Sequence, residues 1–236
     1  MTTGEAGVNF LRIPWIDPCQ YGSHSFSSPK YFRFPPPEAF VPMNQNHNGS
    51  HHEFRGKRLF LSIDLPEYVK DSLEALSREP VKGFHYVPRD RFHLTLKFIG
   101  DIPGQFQQEI EAAIEPIEVH SFLLPIEGLG SFPQIGHPHA VWAGVSSGHP
   151  RLYQLHKRIE DALFGIGIEP EKRIYHPHIT IARVNHASEE TTRQFIKRHP
   201  DFGAAPFKVE QFHLMQSEVI EGKRTYRIER TWQLLP

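Results

Sequence analysis

Two tripeptides, His93-Leu94-Thr95 and His178-Ile179-Thr180, constrain what this chain can fold into more than any other feature of its sequence. Each sits in a run of alternating apolar residues, RFHLTLKFIG and HITIARV, that reads as a half-buried β-strand. Successive side chains of a strand point to opposite faces. His93 and Thr95 therefore share one face, while Leu94, Leu96 and Phe98 share the other. The second copy repeats the pattern, with His178 and Thr180 on one side and Ile179 and Ile181 on the other. An apolar layer behind an imidazole and a hydroxyl holds both rigidly, as a preorganised site requires. The same parity puts Lys97 with His93 and Thr95, and Arg183 with Ile179 and Ile181. With sixteen histidines in the chain, a bare His-x-Thr match is weak. The frame around the two copies gives it weight.

That frame is an internal repeat. RLFLSIDLP alternates as a strand, and PEYVKDSLEALSRE predicts a helix with Val69, Leu73 and Leu76 on one face. GFHYVP is extended, and RFHLTLKFIG follows as a strand ended by Gly100. PGQFQQEIEAAIEPI then predicts a helix and VHSFLLPIEGL a strand. The order recurs in HAVWAGVS as a strand and PRLYQLHKRIEDALFGIG as a helix with Leu152, Leu155, Ile159 and Leu163 inward. HITIARV is the next strand, and SEETTRQFIKRH is a helix capped by Ser188. PFKVEQFHLMQS and TYRIERTWQL close the chain as two more strands. The fold class is α+β: two pseudo-symmetric lobes, roughly residues 56–130 and 131–236, facing across a central groove. Each lobe is an antiparallel-rich sheet with helices outside, and the C-terminal strands are candidates for sharing between lobes.

Residues 1–55 stand apart from this frame. They carry seven of the chain's prolines, including Pro35-Pro36-Pro37, and then the polar run NQNHNGSHH. No helical or strand period crosses this extension, Met43 near its end is a candidate start, and its proline-rich part is a candidate partner ligand. No apolar run approaches the roughly 18 residues that a membrane-spanning helix needs, and the N-terminus lacks a signal-peptide pattern. The single cysteine, Cys19, cannot pair within the chain, so a cytoplasmic location is expected. A formal charge of −1 disfavours a long duplex footprint and leaves a short nucleic-acid end as the compatible polyanion.

Two facing imidazoles suit displacement at phosphorus, where one removes a proton from the attacking oxygen while the other supplies one to the departing oxygen. Threonine hydroxyls beside them suit the non-bridging oxygens. No metal or cofactor is needed for this chemistry. His137-Pro138-His139, His176-Pro177-His178 and His51-His52 resemble chelating pairs, but no cysteine or carboxylate completes a set by spacing. A histidine-triad hydrolase needs a third histidine where Thr180 stands.

RLFLSIDLP, RFHLTLKFIG, YHPHITIAR and EGKRTYRIE together resemble the RNA 2′,3′-cyclic phosphodiesterases, long called 2′-5′ RNA ligases, of the two-histidine phosphoesterase superfamily. The resemblance covers about residues 57–235 and leaves the extension aside. It implies hydrolysis of 2′,3′-cyclic phosphate ends of RNA, tRNA fragments among them, to 2′-phosphates, with 2′-5′ ligation as the reverse type of reaction. It implies a monomer, with His93 as proton donor to O3′ and His178 as proton acceptor activating water. Thr95, Thr180 and Arg183 are then the phosphate-binding residues. The residues themselves do not choose between the two histidines. Against strand parity, Arg183 needs a bend after Thr180 to reach a phosphate. Lys223, Arg224 and Tyr226 are further candidates to line the groove. A non-catalytic RNA-end binding module and a phosphodiesterase for another cyclic nucleotide are the alternatives.

Overall fold

The first strand of the described chain, β1 (Lys57–Asp64), buries Leu59, Leu61 and Ile63 on one face and turns Phe60, Ser62 and Asp64 to the other. The computed structural model describes residues 56–145 and 149–236, so the proline-rich extension, Met43 and His51-His52 lie outside the described residues. β1 runs antiparallel between β3 (His93–Ile102) and β9 (Gln211–Ile220), and β10 (Lys223–Gln233) completes a sheet of order β10-β9-β1-β3. A second antiparallel sheet has the order β2-β7-β6-β5, from Phe84–Tyr86, His178–Val184, Ala140–Gly144 and Leu129–Phe132 respectively. Phe122–Glu127 (β4) and Gly203–Val209 (β8) form a separate two-stranded ribbon.

The two motif strands thus fall in different sheets, each beside the strand that opens its half: β3 beside β1, and β7 beside β6. Strands are also exchanged between the halves. β2 edges the sheet of His178, while β9 and β10 extend the sheet of His93.

Four helices cover the sheets: α1 (Glu67–Ser77), α2 (Gln107–Ile114), α3 (Pro150–Gly165) and α4 (Glu189–Arg198). The apolar stripes expected from sequence are the buried ones, Val69, Leu73 and Leu76 on α1 and Leu152, Leu155, Ile159 and Leu163 on α3. Each such leucine or isoleucine contributes about 2 kcal/mol when fully buried. Pro150 opens α3 with its φ already helical, and the Ser188 hydroxyl accepts the Thr191 amide at 3.0 Å to cap α4. No helix among the described residues is long and apolar enough to cross a membrane.

Three expected strands differ in extent. β3 passes through Gly100, whose φ of 96° only glycine adopts readily, and runs on to Ile102. PFKVEQFHLMQS divides at Glu210 into β8 and β9, which enter different sheets, and the Glu210 carbonyl accepts the Leu234 amide at 2.7 Å. VHSFLLPIEGL divides at Gly128 into β4 and β5.

Lys97 does not share the face of His93 and Thr95. Leu61 pairs with Lys97 and Ser62 with Thr95, leaving Leu96 as an extra, unpaired residue on β3. Such a bulge reverses parity for the residues that follow it, here Lys97 and Phe98, until a second unpaired residue, Ile99, shifts the register again. Leu96 and Lys97 are consequently both buried, and Lys97, 5% exposed, points at α3. Its Nζ lies 2.9 Å from the Glu160 carboxylate and donates to the Glu169 carbonyl at 3.0 Å. Removing one partner of a buried ion pair strands the other charge. Lys97→Met should lower unfolding stability in urea by about 3 kcal/mol, and Lys97→Met combined with Glu160→Leu should recover most of that loss.

Candidate active site

His93 begins β3 and His178 begins β7, and the two rings are held in the same way. His93 Nδ1 donates to the Arg91 carbonyl at 2.8 Å, and His178 Nδ1 donates to the His176 carbonyl at 2.7 Å. A carbonyl only accepts, so each Nδ1 carries the hydrogen and each Nε2 is left as the ring nitrogen free of that contact. The carbonyl in both cases belongs to the residue two positions before the strand. One backbone geometry therefore fixes both tautomers.

Burial pushes both rings below the ordinary imidazole value of 6.5, because a charged ring loses its hydration. At His93 the Arg91 carbonyl and the Asp64 carboxylate oppose this shift, and the charge of His178 adds to it. At His178 the His176 carbonyl opposes, while the charges of His176 and Arg183 add. The charge of His178 thus reaches His93 from the other sheet. The sheets meet where β3 contacts β7, and Tyr175, three residues before His178, donates its hydroxyl to the Thr95 carbonyl at 3.0 Å. Tyr175 also stacks on His156 of α3, with ring centroids 3.8 Å apart. One side chain ties the entry of the second motif to the middle of the first.

Thr95 and Thr180 each follow their histidine by two residues on the same strand face and are half-buried. Arg183 reaches that face as well. Val141 pairs with Ala182 and Trp142 with Thr180, so Ile181 is an extra residue, the counterpart of Leu96. Ile181 and Ala182 are both buried, and Arg183 emerges exposed on the side of His178 and Thr180. The bend that strand parity demanded is this bulge.

Aromatic rings line both halves. Phe60 and Tyr226 pack against His93 at centroid distances of 5.0 and 5.2 Å, and Phe132 and Trp142 against His178 at 4.9 and 6.2 Å. Tyr226 meets the expectation that it lines the groove, and Arg224 lies on the same face of β10 two residues away. Lys223 opens that strand with the opposite parity. Phe60, Phe132, Trp142 and Tyr175 were not singled out from sequence. The signal for Trp142 is Gly130, its cross-strand partner, where an added Cβ would lie 2.2 Å from the indole ring. His176 packs on Trp142 at 4.7 Å instead of forming a chelating pair with His178, and among the described residues no three His, Cys, Asp or Glu converge on one point.

Solved structures share this architecture. E. coli LigT in its apo form superposes with a TM-score of 0.64 at 23% identity, over 77% of this chain and 99% of LigT, so the two-lobed α+β fold is that of LigT-type phosphoesterases. The sequence pattern of the 2′-5′ RNA ligase superfamily matches residues 65–221, and the chain belongs to that superfamily. The RNA 2′,3′-cyclic phosphodiesterase of Methanocaldococcus jannaschii is 26% identical over 180 residues, which cover 74% of this chain and 99% of that protein. The protein of the same name from Escherichia coli K12 is 27% identical over 180 residues, covering 75% and 97%.

Replacing Tyr175 by Phe removes the hydroxyl bridge and keeps the stacked ring. Unfolding by denaturant should show a loss of about 1 kcal/mol with the fold intact, since one neutral hydrogen bond is at stake.

Proposed function

We propose that this chain is an RNA 2′,3′-cyclic phosphodiesterase that opens cyclic ends to 2′-phosphates by paired-histidine acid–base catalysis, without a metal. The observation that carries this reading is the matched anchoring of His93 and His178, which leaves one Nε2 from each sheet for proton transfer. The relatives bearing that activity in their names support the substrate class.

In this mechanism a water oxygen attacks phosphorus and gives its proton to His178 Nε2, while the P–O3′ bond breaks and O3′ takes a proton from His93 Nε2. The product is a 2′-phosphate with a free 3′-hydroxyl. The two histidines end with exchanged protonation states and reset through solvent. Thr95 and Thr180 donate hydroxyl hydrogen bonds to the non-bridging oxygens, and Arg183 adds a positive charge on the side of His178. The assignment of donor and acceptor follows the family resemblance. Joining two RNA ends through a 2′-5′ bond uses the same groups, with a 5′-hydroxyl in place of water. Its oxygen attacks phosphorus and gives its proton to His178 Nε2, while the P–O3′ bond breaks and O3′ takes a proton from His93 Nε2. We take the enzyme to be a cytoplasmic monomer acting on RNA fragments such as those of tRNA. Its single cysteine suits a reducing compartment.

Incubated with EDTA and a short RNA carrying a 2′,3′-cyclic phosphate, the protein should yield a 2′-phosphate end. His93→Ala and His178→Ala should each reduce kcat by about a thousandfold, the usual scale for loss of a positioned acid or base. Binding of the cyclic end with no turnover by the wild type would instead identify a binding module.

The pH dependence has a defined sign. A lowered pKa means that the donor loses its proton at a lower pH than free imidazole does, and that the acceptor stays unprotonated to a lower pH. Both limbs of the kcat/KM profile shift the same way. The profile should be bell-shaped with its maximum on the acid side of 6.5, and a maximum on the alkaline side would contradict the burial of the two rings.

A further inference from the structure

The sheet that carries His93 has a second functional line beside the catalytic one. Cross-strand register sets Phe98, Phe60, Met215 and Ile228 in a single row across β3, β1, β9 and β10. The row lies two residue steps along β1 from the row of Thr95 and Ser62, about 7 Å away. Its middle is covered and its ends are open: Phe60 is buried, whereas Phe98 is 66% and Ile228 52% exposed. Phe98 and Ile228 leave apolar surface open at both ends of a row whose middle is packed.

The row is continuous with the site. The Phe60 ring contacts both His93, at 5.0 Å, and Phe98, at 6.0 Å. Phe98 therefore stands one ring beyond His93, on the far side of Phe60. Two residue steps further along the same face come Arg58, Ser217 and Tyr226 in register, and then Arg224, whose Nη1 donates to Ser217 Oγ at 2.7 Å. Arg58 is exposed and makes no ion pair among the described residues, although Asp101 stands opposite it on β3. Outward from the catalytic pair, the face thus runs hydroxyl, aromatic, cationic. A single RNA strand presents the matching groups: a reacting phosphate, a base with an apolar face, and a further phosphate.

Building on the proposed activity, we propose that this sheet face is the track for the RNA strand leading to the cyclic end. A base upstream of the terminal nucleotide stacks on Phe98 beside Ile228, and an upstream phosphate meets Arg58 and Arg224. Stacking on an aromatic ring tolerates every base, so the track selects RNA ends over free cyclic nucleotides without reading sequence.

The test compares kcat/KM on cytidine 2′,3′-cyclic monophosphate and on a trinucleotide ending in a 2′,3′-cyclic phosphate. The wild type should prefer the trinucleotide. Phe98→Ala should lower kcat/KM on the trinucleotide about tenfold through KM, leave the mononucleotide within about twofold, and Phe98→Tyr should retain the preference. Arg58→Ala should flatten the slope of log kcat/KM against log salt on the trinucleotide by about one contact's worth. Equal effects of Phe98→Ala on both substrates, or no effect on either, would overturn the track and leave the catalytic reading standing. Failure of the wild type to turn over both substrates would overturn the catalytic reading itself.

Discussion

Each motif strand bulges by one residue just past its motif, and the position of that residue determines which side chains share the face of the histidine and threonine. Leu96 on β3 and Ile181 on β7 have no partner across the ladder, and both directly follow the motif threonine. A bulge keeps a strand in its sheet while reversing the faces of the residues that follow it. Before the bulge, histidine and threonine look into the groove. After it, two consecutive residues enter the core, and the next one returns to the groove side: Phe98 in one copy and Arg183 in the other. Without the bulges, Arg183 would be buried on the face of Ile179 and Ile181, and the Lys97 ammonium would be left on the face of His93 and Thr95.

The two halves are alike in what the backbone supplies and unlike in what the side chains add. Both imidazoles are tied through Nδ1 to a carbonyl two residues earlier, a contact that needs only an extended approach into the strand. Pro177 enforces such an approach before His178, and Phe92, with ψ of 124°, adopts it before His93. The equivalent positions after the bulges then diverge, an exposed aromatic ring on one sheet and a cation on the other. Pseudo-symmetry sets the proton-transfer groups, and departure from it distinguishes the two sides of the groove.

The electrostatics have the same origin. The helices and apolar strand faces behind each motif remove water from one side of each ring, which favours neutral imidazole. Neutral imidazole is a ready base. A negative charge nearby opposes that shift, as the Asp64 carboxylate does at His93.

Much of this protein is legible in its amino-acid order alone. The two His-x-Thr strands, the repeated order of elements and the buried stripes of α1 and α3 were all legible because periodicity records which face is apolar. Pro150 and Ser188 marked helix starts because their effects are local. Other features arise from pairing between strands distant in the chain and emerge only when those strands meet. The alternation rule assumes an unbroken ladder, so it assigned Lys97 to the groove and Arg183 to the core, and two unpaired residues reversed both assignments. The C-terminal strands stood as candidates for sharing between lobes, but the exchange of β2 and the neighbour that each strand takes were not legible, since any alternating strand can pair with any other until packing selects the partner. The rings around each histidine belong to strands up to 133 residues away from it, as with Tyr226 and His93, and no local pattern brings such residues together.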